Sequence, residues 1–303
     1  MSVFWIILTA CLASAACALV GSFLVLRKEA MLSDAISHAV LPGIAIAFLL
    51  TASRNTLPML LGAGAFGLLT VWLTEQLQRR GRLRNDASMG IVFTSLFAIG
   101  VIIITLFAGQ VDLDQECILY GEIAYVPWDL WTFGSHSLGP RPVWILGMVL
   151  LLNLGFITAF YKELKVYAFD PDLALSLGIP VALVHYGLMG TVSFSTIAAF
   201  ESVGAILVVA LIIVPPAAAY LWVQRLSQML MLSVAFGVFC SVSGYYLALF
   251  TNSSIAGAIA VMTGLVFTVA LFFNPADGLL WRYLRNIRQN GRLDKKTGIQ
   301  TPT

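Results

Sequence analysis

Stretches of about twenty apolar residues recur along nearly the whole chain, and this recurrence leaves few folds open. They lie at roughly 3–26, 33–52, 57–77, 87–109, 143–161, 181–199, 202–222, 229–250 and 255–273. Each is about as long as a helix must be to cross the hydrocarbon core of a bilayer. Of the 303 residues, 59% are hydrophobic and 11% charged, against about 25% charged in an ordinary soluble domain. A soluble fold of this length cannot hide so much apolar surface in one core. Lipid removes the difficulty, because it is itself an apolar solvent in which helices satisfy their own backbone. The expectation is an all-α, polytopic membrane protein of about nine transmembrane helices. The least regular spans are 33–52, interrupted by Asp34, Ser37, His38 and Pro42, and 181–199, rich in Ser and Thr.

Charge placement orients the chain. Lys and Arg gather on the cytoplasmic side of membrane proteins. Three basic segments stand out: Arg79, Arg80, Arg82 and Arg84; Lys162 and Lys165; and the tail with Arg282, Arg285, Arg288, Arg292, Lys295 and Lys296. Nine spans with the N-terminus outside put all three in the cytoplasm. The acidic loop of Asp112, Asp114 and Glu116 and the uncharged turn Asn252-Ser253-Ser254 then face outward. The first run, Val3 to Leu26, has no Lys or Arg before it and Arg27-Lys28 directly after it. A signal sequence has the opposite polarity, so this is read as a retained membrane helix. The organisation expected is a transmembrane domain over 1–280 and a short basic cytoplasmic tail over 281–303.

Several chemistries are excluded. The net charge of +2 suggests no nucleic-acid partner. Cys11, Cys17, Cys117 and Cys240 form no CxxC pair, and three of them lie in apolar runs as packing residues. No GxxxxGK[ST] phosphate loop, HExxH or GxSxG motif occurs.

Ionisable residues inside a span are expensive and mark pathways or sites. Asp34 and His38 stand in Ser33-Asp34-Ala35-Ile36-Ser37-His38-Ala39-Val40-Leu41-Pro42-Gly43. A spacing of four puts both on one helix face, a turn apart. A carboxylate oxygen and an imidazole nitrogen are a common ligand pair for manganese, iron or zinc. Two ligands bind weakly, which suits transport, where release must follow binding. The competing reading is that Asp34 caps the helix start and His38 bonds a neighbour. Pro42-Gly43 predicts a broken or kinked helix, and Pro215-Pro216 a break or kink near the inner third of the 202–222 span.

Other polar residues carry less pattern. Glu201 is read as a solvated turn residue or a cation-attracting group at the outer mouth. His185 near a helix start is read as structural, and His136 in the outer loop has no pattern. Asp112, Asp114, Glu116 and Glu122 are solvated or help to collect cations. Between two spans, Asp170 can cap a short helix that Pro171 starts and Gly178 closes. Leu173, Ala174 and Leu177 would give it an apolar stripe able to dock into a partner's groove; the alternative is an ordinary surface helix.

Together, the segment 33–43, Phe169-Asp170-Pro171 with Gly178-Ile179, and Val203-Gly204…Val214-Pro215 resemble the permease subunits of bacterial metal-ion ABC importers. The resemblance runs from the first span to about Pro275. It implies a fold related to the cobalamin-importer, or type II, permeases, without an extra N-terminal span found in those relatives. It further implies a permease dimer, formed with a second copy or a paralogue around a central path in the bacterial inner membrane. An extracytoplasmic binding protein would deliver the metal, and cytoplasmic ABC ATPase subunits would drive alternating access. By the same resemblance Asp34 and His38 are ligands of the transported ion. Phe169, Asp170, Pro171, Leu173, Leu177 and Gly178 would form the ATPase-coupling helix. The stretch 112–123 looks closer to manganese- and iron-associated members than to zinc ones. The expected function is ATP-driven import of a divalent ion, with manganese favoured over zinc or iron, no permanently bound cofactor and no catalytic residues in this chain. The competing functions are a proton-coupled secondary transporter relaying protons through Asp34, His38 and Glu201, an intramembrane metalloenzyme, and a structural membrane partner.

Overall fold

The structure is a computed structural model that describes residues 2–51, 56–107, 123–133 and 136–274. The acidic loop 112–122, Cys117 and the basic tail 281–303 lie outside the described residues. Among those described, nine helices are long and apolar enough to cross a membrane: α1 (Ser2–Leu26), α2 (Leu32–Thr51), α3 (Thr56–Gly81), α4 (Asn85–Phe107), α5 (Arg141–Ala159), α8 (Val181–Val203), α9 (Ala205–Trp222), α10 (Leu226–Thr251) and α11 (Ile255–Phe272). Two shorter helices, α6 (Tyr161–Phe169) and α7 (Pro171–Ser176), join α5 to α8. The expected nine-span helical architecture is therefore what the chain adopts.

One element departs from a purely helical reading. A 3-10 turn over Ile123–Trp128 leads into an antiparallel hairpin, β1 (Leu130–Phe133) paired with β2 (His136–Pro140), in register Phe133 to His136. It caps the bundle at the end where α5 begins.

Helix α1 is the hub. It packs on α5, α8, α9 and α10, and Ala10, Ala13, Ala16, Cys17 and Ala18 are essentially fully buried. Without a hydrophobic force between helices in lipid, close backbone approach and interhelical hydrogen bonds hold such contacts. Small residues permit the approach. A Cβ on Gly21 would overlap the Ile212 carbonyl oxygen of α9, which Pro216, lacking an N–H, leaves without its intrahelical donor. Polar pins add direction: Ser22 Oγ donates to Ser233 Oγ of α10 at 3.1 Å, and Asn153 Nδ2 of α5 donates to Ser195 Oγ of α8 at 2.7 Å and to the Ala16 carbonyl at 3.3 Å.

Helices α2, α3 and α4 form a second sheaf, which α8 joins to the hub. The breaks expected at Pro42-Gly43 and Pro215-Pro216 do not form. Both α2 and α9 run through their prolines, which are buried. Neighbouring helices bury these positions, where a missing N–H is tolerated at membrane depth. Gly43 serves a different purpose, the close approach of α2 to α3 at Gly62.

Candidate metal site

Asp34 stands in the first turn of α2 and His38 one turn later, on the same face. Asp34 Oδ1 and His38 Nε2 lie 3.6 Å apart, and the two side chains are 33% and 40% exposed. That separation is beyond a hydrogen bond, so neither group satisfies the other. It is close to what a shared ion requires. Donors about 2.0–2.2 Å from a metal stand roughly 2.8–3.1 Å apart in octahedral and roughly 3.3–3.6 Å in tetrahedral arrangement. Among the described residues Asp34 makes no hydrogen bond to a backbone amide, so the capping role considered for it is not formed.

Helix α4 fixes the imidazole. The His38 ring stacks on Phe93 with centroids 5.6 Å apart and planes 29° off parallel, and Phe97 meets it edge-on at 6.1 Å. Gly100 of α4 lets that helix run against Pro42, four residues past His38. Pro42 also denies the His38 carbonyl its usual intrahelical donor. The result is a carboxylate and an imidazole, both half-open, on a helix face walled by aromatic rings. Among the described residues no group of three or more His, Cys, Asp and Glu side chains could hold a metal. The described residues therefore bring together one carboxylate and one imidazole here and no third donor of these types.

The segment predicted to dock a partner is a helix with the expected signals. Asp170 accepts from the Asp172 and Leu173 amides at 3.1 and 3.0 Å, Pro171 opens α7, and Gly178 follows it with φ +76°. Its apolar face differs from the one expected. Ala174 is buried against the bundle, while Phe169, Leu173, Leu175 and Leu177 stand exposed. Leu175 belongs to the outward set because a six-residue helix turned inward through Ala174 presents the flanking positions to solvent.

Glu201 does not join Asp34 and His38. It lies in the last turn of α8, about 24 Å along that helix from His185. His185 sits at the other end of α8, with Leu32 of α2 across the same cavity. His136 lies in β2.

At that end, here called the Arg27 end, a cavity of about 610 Å³ opens between the spans and α7. Three of its polar residues, Glu75, Tyr167 and Tyr186, were not singled out by sequence spacing. Tyr186 donates its hydroxyl to Glu75 Oε2 at 2.6 Å, and Glu75 pairs with Arg79. Tyr167 Oη and His185 Nδ1 lie 2.7 Å apart. The Arg27 guanidinium sits 4.0 Å above the Tyr167 ring and forks onto Glu29. Burial pushes the Tyr167 phenol well above the usual tyrosine range, with the nearby Arg27 charge opposing it, so the hydroxyl keeps its proton.

A profile of the ABC 3 transport family matches residues 2–274. The chain is 50% identical to the manganese transport system membrane protein MntD of Bacillus subtilis over 283 residues, covering 93% of this chain and 96% of that one. It is 43% identical to the zinc transport system membrane protein TroD of Treponema pallidum over 279 residues, covering 92% and 76%. Among solved structures, PsaBC from Streptococcus pneumoniae in complex with Fab superposes with a TM-score of 0.76 at 31% identity, covering 91% and 92%.

Proposed function

Since the chain belongs to the ABC 3 transport family, and is thus a multi-pass membrane permease of an ABC transporter, we propose that it carries a divalent transition-metal ion into the cytoplasm, manganese before zinc or iron. The observation that carries this reading is the spacing of Asp34 Oδ1 and His38 Nε2, 3.6 Å apart on a half-open helix face. Oxygen and nitrogen donors together favour a transition metal over calcium or magnesium, which prefer oxygen alone. The name of the Bacillus subtilis relative favours manganese, and that of the Treponema relative keeps zinc in play.

In this mechanism Asp34 is the anionic ligand and His38 the selective one. A second permease, a copy of this chain or a paralogue, faces the α2–α4 side and completes the coordination that two ligands cannot. A separate ATPase subunit seats α7, with Phe169, Leu173 and Leu177 as its apolar contacts and Asp170, Pro171 and Gly178 setting the helix. An extracytoplasmic binding protein delivers the ion. The N-terminus faces outward, the Arg27 end faces the cytoplasm, and the basic tail 281–303 follows the 1–280 membrane domain there. The ion passes Asp34 and His38 and leaves when α7 moves.

Manganese uptake in cells tests the reading. Uptake should stop when ATP is depleted and survive a protonophore at constant ATP. Uptake that follows the proton gradient and ignores ATP would instead establish a secondary transporter.

A further inference from the structure

We propose that Tyr167 is the positioning residue that links α7 mechanically to the helix carrying Asp34 and His38. This rests on the function proposed above and adds the route by which motion at α7 reaches the ion.

Apart from the backbone, α7 touches the bundle lightly. Its Pro171 and Leu175 form one wall of the 610 Å³ cavity, so there is open space between α7 and the spans. What bridges that space is the end of α6. Tyr167, two residues before the Phe169 that closes α6, is 2% exposed and holds three elements at once. Its hydroxyl meets His185 Nδ1 of α8 at 2.7 Å. Its ring carries the Arg27 guanidinium at 4.0 Å, and its carbonyl accepts from Arg27 Nη1 at 3.4 Å.

Arg27 begins the turn between α1 and α2. That turn is tight: Lys28 has φ +59°, the Glu29 amide donates to the Leu24 carbonyl at 2.9 Å, and the Leu32 amide donates to the Glu29 carbonyl at 3.0 Å. Arg27 also forks onto Glu29 at 2.8 and 3.2 Å. A displacement of Tyr167 therefore pulls on a stiff link of a few residues, at whose far end Asp34 occupies the first turn of α2. Coupling of this kind needs a contiguous packed and bonded network, and Tyr167, Arg27 and Glu29 form one between the end of α6 and the start of α2. Tyr186, next to His185, bonds Glu75 of α3. The anchor on α8 is thereby tied to the α2–α4 sheaf as well.

The test uses the whole transporter, purified with its ATPase subunits and reconstituted in vesicles, with manganese as the probe. The readout is manganese ions imported per ATP hydrolysed. A merely structural role would lower the amount of active protein and leave that ratio alone. Tyr167→Leu and Arg27→Gln cut the link from its two sides, so that a fold lost in one leaves the other to decide. Each should lower the ratio by on the order of fivefold or more, the range of ordinary coupling energies. Tyr167→Phe, which keeps the ring beneath Arg27, should recover most of it. A wild-type ratio in Tyr167→Leu or Arg27→Gln overturns the link alone. Absence of ATP-driven manganese uptake by the wild type overturns the proposed function together with it.

Discussion

Gly43 of α2 and Gly62 of α3 meet backbone to backbone. A methyl group on Gly43 would lie 2.5 Å from the Gly62 carbonyl oxygen, and one on Gly62 would lie 2.6 Å from that of Gly43. This contact sets how closely the helix bearing Asp34 and His38 sits in its sheaf. Gly62→Val forces the helices apart, at about 1–3 kcal/mol for overpacking. The thermal midpoint of the detergent-solubilised protein should fall by several degrees. Gly147→Ala, with open space around it, should leave the midpoint where it was. An unshifted midpoint in Gly62→Val would show that the contact is not close.

The exposed leucines of α7 bear on assembly rather than on folding. Leu177 is 62% exposed, so Leu177→Glu should change stability by no more than about 0.5 kcal/mol. It should nonetheless strip the ATPase from the purified complex. Asp170→Ala removes the acceptor of two backbone amides, costs about 1 kcal/mol of local helix stability, and should weaken the same association less. Pull-down of the ATPase at equal permease levels separates the two effects. Full recovery with Leu177→Glu would move the docking surface elsewhere.

Much of this architecture is legible in the chain because lipid makes a simple demand. A run such as Val203 to Val214 has nowhere else to go, and the Arg27-Lys28 and Arg79-Arg80 punctuation marks the ends of spans. The capped helix at 170–178 is legible for a local reason, since Asp-Pro opens a helix and a later Gly closes it. What escaped was set by contacts distant in sequence. Pro42 and Pro215-Pro216 read as breaks, yet α2 and α9 stay helical through them. Tyr167 and His185 stand 18 residues apart with the whole of α7 between them, and no periodicity joins them. The hairpin at 130–140 did leave a signal, the aromatic run Leu130-Trp131-Thr132-Phe133 followed by Gly134-Ser135. The pair Asp34 and His38 was legible by spacing, whereas its walls, Phe93 and Phe97, come from a helix more than fifty residues on.

The proposed orientation makes opposite predictions for two exposed sites. Ser253 lies in the turn before α11, and Lys162 lies in α6 at the Arg27 end. In a background with the four native cysteines replaced by Ser, and with a membrane-impermeant maleimide, Ser253→Cys should label in intact cells and Lys162→Cys only after lysis. The reverse pattern would place Asp34 on the outer side.

Phe93 should tune the ion site through His38. An aromatic pair of this kind contributes about 0.5–1.5 kcal/mol, which converts to roughly two- to twelvefold in a binding constant. Phe93→Ala should therefore raise the half-saturating manganese concentration by that order, with less effect on the maximal rate. An unchanged half-saturation point would free His38 from any dependence on the α4 wall.

Import by this mechanism requires that the ion touch α2. Manganese accumulation should be measured for Asp34→Ala and His38→Ala in membranes containing wild-type amounts of permease and ATPase. Losing even the outer supports of a metal ligand costs about 10–100-fold, so each variant should fall to background. Accumulation at the wild-type rate by either variant would contradict the account.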